Sequence, residues 1–363
     1  MEIKKIIEKF SIEGNVINVE LYGHGHINTT YKVDIQDSED SYILQKINTS
    51  IFKNYDGMMN NIYKVTTFLR DDILKNGGDI KREVMTIIPT KDNGLYYLDE
   101  DKNCYRMYLF IQNSKVYQLA ESKEIFENSG RAFGKFMADL DSFDATELVE
   151  VIPDFHNTPK RYNNFLSAVK LNKANRLNSV NAEAKFFQDR KNFYPIITEA
   201  LNCGKIPVRV THNDTKLNNI LLDADTEKAL CVIDLDTIMP GSSLYDFGDS
   251  VRFGCSTALE DEKDLTKVHF DIDLYNCYLR GYVDGAGDKI TEDEVKMLHI
   301  GAMMMTLECG MRFLTDYLEG DTYFKTAYAE HNLVRARTQI ALVKEMEQNA
   351  EKMLAMAIAM INN

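Results

Sequence analysis

The chain has 363 residues, 44% hydrophobic and 27% charged, which is typical of a soluble globular protein of two domains. Its 42 Lys and Arg against 56 Asp and Glu give a formal net charge of −14, which disfavours nucleic acid and anionic membranes as partners. Six scattered cysteines without a CxxC pair predict reduced thiols, and no apolar run of about 18 residues occurs that would predict a membrane span. We therefore expect a cytoplasmic protein that binds small molecules, and a monomer is compatible with the sequence.

Hydrophobic periodicity predicts a β-rich first part and a mostly helical remainder. The first part contains helices at 3–10 and 54–70, and strands at Val16–Tyr22, Ile27–Ile35, Tyr42–Ile47, Val84–Ile88 and Cys104–Ile111. From about residue 121 the predicted helices lie near 121–140, 159–174, 182–200, 271–284, 291–318 and 332–361. A short β-rich island lies between Val208 and Ile233. We predict an α+β fold with a small β-rich lobe at 1–112 and a larger helical lobe at 113–363.

The segment VTHNDTKLNNILLD at 210–223 fits the spacing H-x-D-x-x-x-x-N of the kinase catalytic loop. Asp214 would hold an acceptor hydroxyl in line with the γ-phosphorus of a nucleotide, and Asn219 would offer a neutral oxygen to magnesium. We expect His212 to hold this loop through hydrogen bonds. The alternative is that Asp and Asn here are ordinary turn residues beside short strands.

A second carboxylate supports the magnesium hypothesis, because the apolar run ALCVI at 229–233 ends in Asp234. Hard cations take oxygen ligands, so Asn219 and Asp234 are the predicted metal ligands. Asp236 could share this site or face solvent, and we favour solvent. The triplet DFG at 246–248 is not adjacent to the catalytic loop, so Asp246 is predicted to cap a helix or bond that loop, with an acceptor contact as the alternative.

Two glycines near the N-terminus, Gly23 and Gly25, lie between predicted strands, where a phosphate-covering hairpin would be. The pattern G-x-G-x-x-G fails at Asn28, and hairpins use glycine routinely. In the helical part, TLECGMRFLTDYLEGDTYF at 306–324 groups polar and aromatic side chains that suit sugar binding. Glu308 and Arg312 could instead form an i,i+4 ion pair.

Several long blocks, including GHGHINTTY, THNDTKLNNILLD, VIDLDTIMPGS and ECGMRFLTDYLEGDTYF, resemble the bacterial N-acetylhexosamine 1-kinases. Those enzymes belong to the aminoglycoside phosphotransferase-like kinases, and the resemblance runs nearly end to end. It implies a bilobal protein-kinase-like fold, with a nucleotide-binding lobe at 1–112 and a catalytic and sugar-binding lobe at 113–363. It also implies ATP and Mg²⁺ as cofactors and the anomeric hydroxyl of an N-acetylhexosamine as acceptor.

Residue roles follow from the resemblance and from the motifs together. Asp214 is the predicted catalytic carboxylate, and Asn219 and Asp234 are the predicted magnesium ligands. The predicted acceptor-binding residues are His26, Asp214, Thr215, Asp246, Glu308, Arg312 and Tyr323. The predicted nucleotide-binding residues are Gly23, Gly25, Gln45 and Asn219.

One departure from the general kinase pattern lies in the strand YILQKI, where Gln45 stands in place of the usual phosphate-binding lysine. Lys46 follows it and points to the opposite face of the strand. Two alternatives therefore stay open. One is a related kinase for another hexose, an aminoglycoside or choline, and the other is a non-catalytic kinase-like binding module.

Overall fold

The computed structural model describes residues 2–23, 27–118 and 120–361. The first 116 residues contain α1 (Glu2–Ile7), β1 (Val16–Leu21), β2 (Thr29–Ile35), β3 (Ser41–Ile47), α2 (Tyr55–Lys75), β4 (Ile87–Ile88), β5 (Tyr97–Leu98), β6 (Cys104–Leu109) and β7 (Ser114–Lys115). The three predicted strands after the first helix are present, whereas the strand predicted at Val84–Ile88 is limited to its last two residues. Four α-helices and a strand follow: α3 (Lys123–Asp139), α4 (Thr158–Leu171), α5 (Asn181–Gln188), α6 (Ile196–Asn202) and β8 (Arg209–Thr211).

The rest of the chain contains two strands of the predicted β-rich island, a third short strand and five helices. They are β9 (Ile220–Asp223), β10 (Ala229–Val232), β11 (Met239–Gly241), α7 (Ser243–Gly254), α8 (Ile272–Ala286), α9 (Glu292–Glu319), α10 (His331–Gln348) and α11 (Ala350–Ile361). The helix predicted near 182–200 is in fact two, α5 and α6, because Pro195 lacks a backbone N–H and disfavours helix before it. The helix predicted at 332–361 is likewise divided, at Asn349.

The chain forms two compact units, each assembled from separate segments. The first unit combines 1–116, 142–153 and 219–240, and the second combines 117–141, 154–218 and 241–363. Within the described residues of both units, no helix has the length and apolarity needed to cross a membrane.

The first unit is built on an antiparallel sheet in the order β1-β2-β3-β6-β4, with β5 also paired to β6. Alternating side chains of β2, β3 and β6 pack against α1 because successive residues of a strand point to opposite faces. The buried cluster consists of Ile6, Ile7, Phe10, Val33, Ile35, Tyr42, Leu44, Tyr105 and Met107. A second antiparallel sheet, in the order β10-β9-β7, belongs to the same unit.

The second unit is helical, and the long helix α9 packs against α4, α7, α10 and α11. Helix α9 begins with a capping box, in which Thr291 accepts from the amide of Glu294 and the Glu294 side chain accepts in return. Helices α3 and α8 approach closely because Gly130 and Gly134 on α3 face Gly281 and Gly285 on α8. A methyl group at any of these four glycines would overlap backbone atoms of the other helix.

We predict that Gly281→Ala destabilises the protein by about 2 kcal/mol or more, because the new methyl group would overlap the carbonyl oxygen of Glu127. Lys135→Ala, an exposed substitution on α3, is the matched control and should change stability by less than about 0.5 kcal/mol. Urea denaturation followed by circular dichroism measures both changes. Equal stability of the two variants would contradict the close helix contact.

Candidate functional site

The predicted catalytic loop follows strand β8 in the second unit, and its backbone is held by one side chain. Asp246, in the first turn of α7, accepts hydrogen bonds from the amides of His212 at 2.8 Å and Asn213 at 2.7 Å. Asn213 adopts a left-handed conformation with φ of 64°, so its amide cannot join a regular ladder. Asp246 thereby supplies the hydrogen bonds that this buried stretch of backbone requires.

Three hydroxyl groups extend this network behind the loop. The Thr215 hydroxyl donates to the backbone oxygen of Asp246 at 2.5 Å, and the Ser250 hydroxyl donates to the backbone oxygen of Thr215. Tyr278 in turn donates to the Ser250 hydroxyl at 2.7 Å. The acceptor contacts predicted for Thr215 and Asp246 stay predictions, since both side chains also have these structural partners.

His212 is fully buried and bonds within the loop, as the sequence led us to expect. Its Nδ1 accepts from the amide of Asp214 at 3.2 Å, and its ring packs edge-on against Phe133 and Phe136. Burial raises the pKa of Asp246 above its ordinary value, although His212 and the two loop amides oppose the rise. The loop is therefore fixed by a carboxylate that is itself enclosed.

The Asp214 side chain is partly exposed and lies 2.6 Å from the ammonium group of Lys216. Burial would lower the pKa of Lys216, but the carboxylates of Asp214 and Asp249 raise it to about 12. Asp249 is also paired with Arg252 at 2.9 Å, and burial opposes the lowering of its pKa by Arg252 and Lys216. Asp214, the predicted catalytic carboxylate, thus has the ammonium group of Lys216 as its neighbour.

Glu308 on α9 does not form the i,i+4 ion pair with Arg312 within the described part of the chain. Its two oxygens instead meet His156 Nδ1 at 2.9 Å and the Thr158 hydroxyl at 2.6 Å. Burial opposes ionisation of Glu308, yet His156 and Arg312 lower its pKa below the ordinary value. His156 is 9% exposed in its side chain, and its Nε2 has no hydrogen-bond partner among the described residues.

Arg312 forms no salt bridge among the residues that the structure describes, and three aromatic rings surround it. Its guanidinium carbon lies 5.6 Å from the ring centres of Phe155 and Phe324 and 5.8 Å from that of Tyr323. Tyr323 is 64% exposed, so the ring beside the Arg312 guanidinium is open to solvent. Burial and the neighbouring Arg312 lower the pKa of Arg161, which adds a second cation to this surface of the second unit.

In the first unit, Asn219 and Asp234 lie at the same end of the β9–β10 hairpin. Val232 is paired with Ile220, and the amide of Ile233 donates to the backbone oxygen of Asn219 at 2.9 Å. Asp234 follows directly, in a left-handed conformation with φ of 61°. The hairpin therefore brings the two predicted metal ligands to neighbouring strand ends.

Asp236 contradicts the expectation that it faces solvent, because it is 3% exposed and paired with Arg106 at 2.5 Å. A buried cation on β6 attracts it, which the local sequence around 236 does not reveal. Gln45, the predicted nucleotide contact, accepts from Arg106 Nε at 2.9 Å and donates to the Thr30 hydroxyl at 3.1 Å.

Gly23 adopts φ of 76°, a left-handed conformation that suits glycine, and no atom of the described residues lies within 4 Å of where its Cβ would be. Gly25 and His26 lie outside the described residues.

A carboxylate and a side-chain amide at one hairpin end fit magnesium, which prefers oxygen ligands and keeps several of its waters. Among the described residues, no group of three or more His, Cys, Asp or Glu side chains could hold a metal ion. The donor set is therefore a small one, of the kind that binds magnesium together with phosphate oxygens rather than in a closed protein cage.

Residues 18–265 match the APH family, the phosphotransferase enzyme family. The chain belongs to this family of phosphotransferases. The match includes most of β1, all of β2 to β11 and the whole segment from His212 to Asp249.

Solved structures show the same fold at low sequence identity. Spectinomycin phosphotransferase APH(9)-Ia, in complex with ADP and spectinomycin, is 13% identical with a TM-score of 0.56, over 100% of this chain and 98% of that chain. Choline kinase from Cryptosporidium parvum is 12% identical with a TM-score of 0.55, over 97% and 95% of the two chains. An ethanolamine kinase from Plasmodium vivax is 14% identical with a TM-score of 0.51, over 89% and 81%. The predicted kinase-like α+β fold is confirmed.

Sequence reasoning missed three polar residues of this phosphotransferase: Arg106, His156 and Lys216. Arg106 stands inside the otherwise apolar strand CYRMYL, and a charged residue in such a run is a signal of a buried ion pair. Lys216 is two residues after Asp214, and this spacing was a signal for an ion pair between them. His156 gave no local signal, since its partner Glu308 is 152 residues away.

We predict that Asp246→Asn destabilises the phosphotransferase by about 2 kcal/mol, because an amide group cannot accept from both loop amides and would leave a buried N–H unpaired. Asp264→Asn is the matched control, since Asp264 is an exposed capping residue and Asn caps equally well. Urea denaturation at neutral pH compares the two. A loss equal to that of the control would show that Asp246 does not hold the loop.

Proposed function

We propose that this phosphotransferase is a small-molecule kinase that moves the γ-phosphoryl group of ATP to the anomeric 1-hydroxyl of an N-acetylhexosamine. The observation that carries the proposal is the catalytic loop, in which Asp214 lies beside Lys216 on a backbone held by Asp246. Family membership supports phosphoryl transfer, and the resemblance of the long sequence blocks to N-acetylhexosamine 1-kinases supports the acceptor. The product would be the sugar 1-phosphate.

Asp214 would accept a hydrogen bond from the acceptor hydroxyl and hold its oxygen in line with the γ-phosphorus. A new P–O bond forms to the sugar, the bond to the β-phosphate breaks with its electrons left on ADP, and the hydroxyl proton leaves towards Asp214. Because the transition state of phosphoryl transfer is loose, positioning contributes more than proton removal. The salt bridge to Lys216 fixes the orientation of the Asp214 carboxylate.

Asn219 and Asp234 would hold Mg²⁺ through one amide oxygen and one carboxylate. When bound, magnesium supplies charge neutralisation at the β- and γ-phosphates. Gly23, Gly25 and Gln45 are the further candidates for ATP contacts in the first unit. The ADP bound by spectinomycin phosphotransferase supports nucleotide use in this fold.

The acceptor contacts are proposed for His26, Thr215, Asp246, Glu308, Arg312 and Tyr323. Sugars are bound by aromatic faces combined with a few fixed polar groups, and Arg312 among three rings has that character. The His156–Glu308 pair adds a fixed polar group, because Glu308 orients the imidazole, whose buried Nε2 has no hydrogen-bond partner among the described residues. These side chains would select the hydroxyl and N-acetyl groups of the hexosamine.

The charge of this surface favours the neutral sugar over the cationic alternatives. Arg161 and Arg312 lie close enough for one to lower the pKa of the other, and the Glu308 carboxylate is already bonded to His156 and Thr158. Two cations repel choline and a polycationic aminoglycoside. A neutral N-acetylhexosamine carries no such penalty.

An acceptor panel tests the proposal. ADP release from ATP would be measured with N-acetylglucosamine, N-acetylgalactosamine, glucose, galactose, choline and an aminoglycoside, each with and without Mg²⁺. We expect the two N-acetylhexosamines to give the highest kcat/KM, and turnover to require the metal. Preference for choline or an aminoglycoside would replace the proposed acceptor, and absence of turnover with every acceptor would support a binding module.

We predict that Asp214→Ala lowers kcat by about 10²- to 10⁴-fold, because the acceptor oxygen loses the carboxylate that orients it. The Kd for ATP should change little, since Asp214 acts on the acceptor. Asp189→Ala removes an exposed carboxylate paired with Lys185 in the same unit and is the matched control. Near-normal kcat for Asp214→Ala would contradict the catalytic assignment.

A further inference from the structure

The buried ion pair between Arg106 and Asp236 differs from the arrangement that a kinase fold usually contains. Kinases pair a lysine on the third strand with a glutamate on the following helix, and that lysine binds the phosphates. Here β3 carries Gln45 at that position, and the buried residues of α2 are Met58, Met59, Asn61, Ile62, Val65, Thr66 and Leu69. Within the described residues of the first unit, the lysine of β3 is one residue further on, at Lys46, and no glutamate is among the buried residues of α2.

Arg106 is next to Gln45 across the sheet, because β3 and β6 pair antiparallel with Gln45 opposite Arg106. Its Nε donates to the Gln45 side chain at 2.9 Å, and its Nη1 lies 2.5 Å from Asp236. The guanidinium also covers the Tyr108 ring, with 5.2 Å between its carbon and the ring centre. At 1% exposure, Arg106 is enclosed by these partners.

Asp236 belongs to the short turn Leu235–Thr237 that follows Asp234 directly. Its second oxygen accepts from the Asn28 side chain at 2.8 Å, and Asn28 accepts from the amide of Asn48 at 3.0 Å. The turn is therefore tied to the C-terminal end of β3 at two points, through Arg106 to Gln45 and through Asn28 to Asn48 just after the strand. Asp234 itself adopts a left-handed conformation directly before this turn, with φ of 61°.

We infer that Arg106, through its ion pair with Asp236, is the positioning residue that holds Asp234 in place to bind a divalent cation with the nucleotide. This inference rests on the proposed function and deepens it. Because Asp236 already neutralises Arg106 and both are buried, Arg106 acts on the metal ligand rather than on the phosphates. The ion pair of this fold thus connects the sheet directly to the metal-binding turn, without a charged residue from α2.

Measuring metal binding and nucleotide binding separately distinguishes a positioning role of Arg106 from a direct contact with the nucleotide. Calorimetry would measure the Kd of ADP in EDTA and the Mg²⁺ concentration needed for half-maximal enhancement of ADP binding. Arg106→Met should raise that Mg²⁺ concentration about 10- to 100-fold, as expected when the partner that orients a metal ligand is lost. The Kd of ADP without metal should change less than about twofold.

Folding must be separated from positioning, because removing one member of a buried ion pair leaves an uncompensated charge. The double variant Arg106→Met/Asp236→Leu replaces the pair with apolar groups of similar size and is expected to fold, as circular dichroism would show. It should keep the weakened Mg²⁺ dependence. Arg82→Met, which removes the Asp223 ion pair at the opposite end of β9, is the matched control and should bind Mg²⁺ as the native protein does.

The inference would be overturned if Arg106→Met folded and showed the Mg²⁺ dependence of the native protein. It would also be overturned if the double variant alone regained that Mg²⁺ dependence, because the ion pair would then be merely structural. A large loss of metal-free ADP affinity would instead assign Arg106 to the nucleotide. Failure of the native protein to bind ADP with Mg²⁺ would overturn the proposed function as well, which makes the two failures distinguishable.

Discussion

Irregular backbone that is buried must find hydrogen-bond partners outside itself, and the stretch from His212 to Thr215 depends on Asp246 for them. The carboxylate binds two consecutive amides and its own backbone oxygen binds the Thr215 hydroxyl, so one residue of α7 determines the course of the loop. Asp214 gains a fixed position without belonging to any helix or strand. Helix α7, which carries Asp246, is in turn packed against the long helix α9.

In the first unit an ion pair, rather than hydrogen bonds to backbone amides, holds the irregular backbone. Asp234 also lies outside regular structure, and the turn after it is held by the Arg106–Asp236 pair. In each unit one acidic side chain holds the backbone next to a carboxylate with a proposed role in catalysis. Asp246 does so for Asp214, and Asp236 for Asp234. This division explains why two carboxylates, Asp236 and Asp246, are buried in a chain with a net charge of −14. Each is enclosed only because its partners satisfy it.

The sequence was sufficient to predict the features that depend on residues close together in the chain. The meander β1–β3, the long helices and the spacing around Asp214 depend on neighbouring residues, so periodicity and motif revealed them. Pro195 is itself a signal for the division between α5 and α6. The apolar spacing on both sides of it nevertheless favoured one continuous helix. Contacts between distant residues were out of reach, because pairing Arg106 with Asp236 or His156 with Glu308 requires the register of β3 and β6 and the packing of α9. The expectation that Asp236 faces solvent was wrong for this reason.

We propose that the phosphoryl group is transferred to the anomeric oxygen of an N-acetylhexosamine. Phosphorus NMR of the product formed from ATP, Mg²⁺ and N-acetylglucosamine tests it most directly, since the coupling of phosphorus to sugar protons identifies the esterified oxygen. We predict a new phosphorus signal coupled to the anomeric proton. Coupling to the protons at carbon 6, or release of inorganic phosphate alone, would contradict the account.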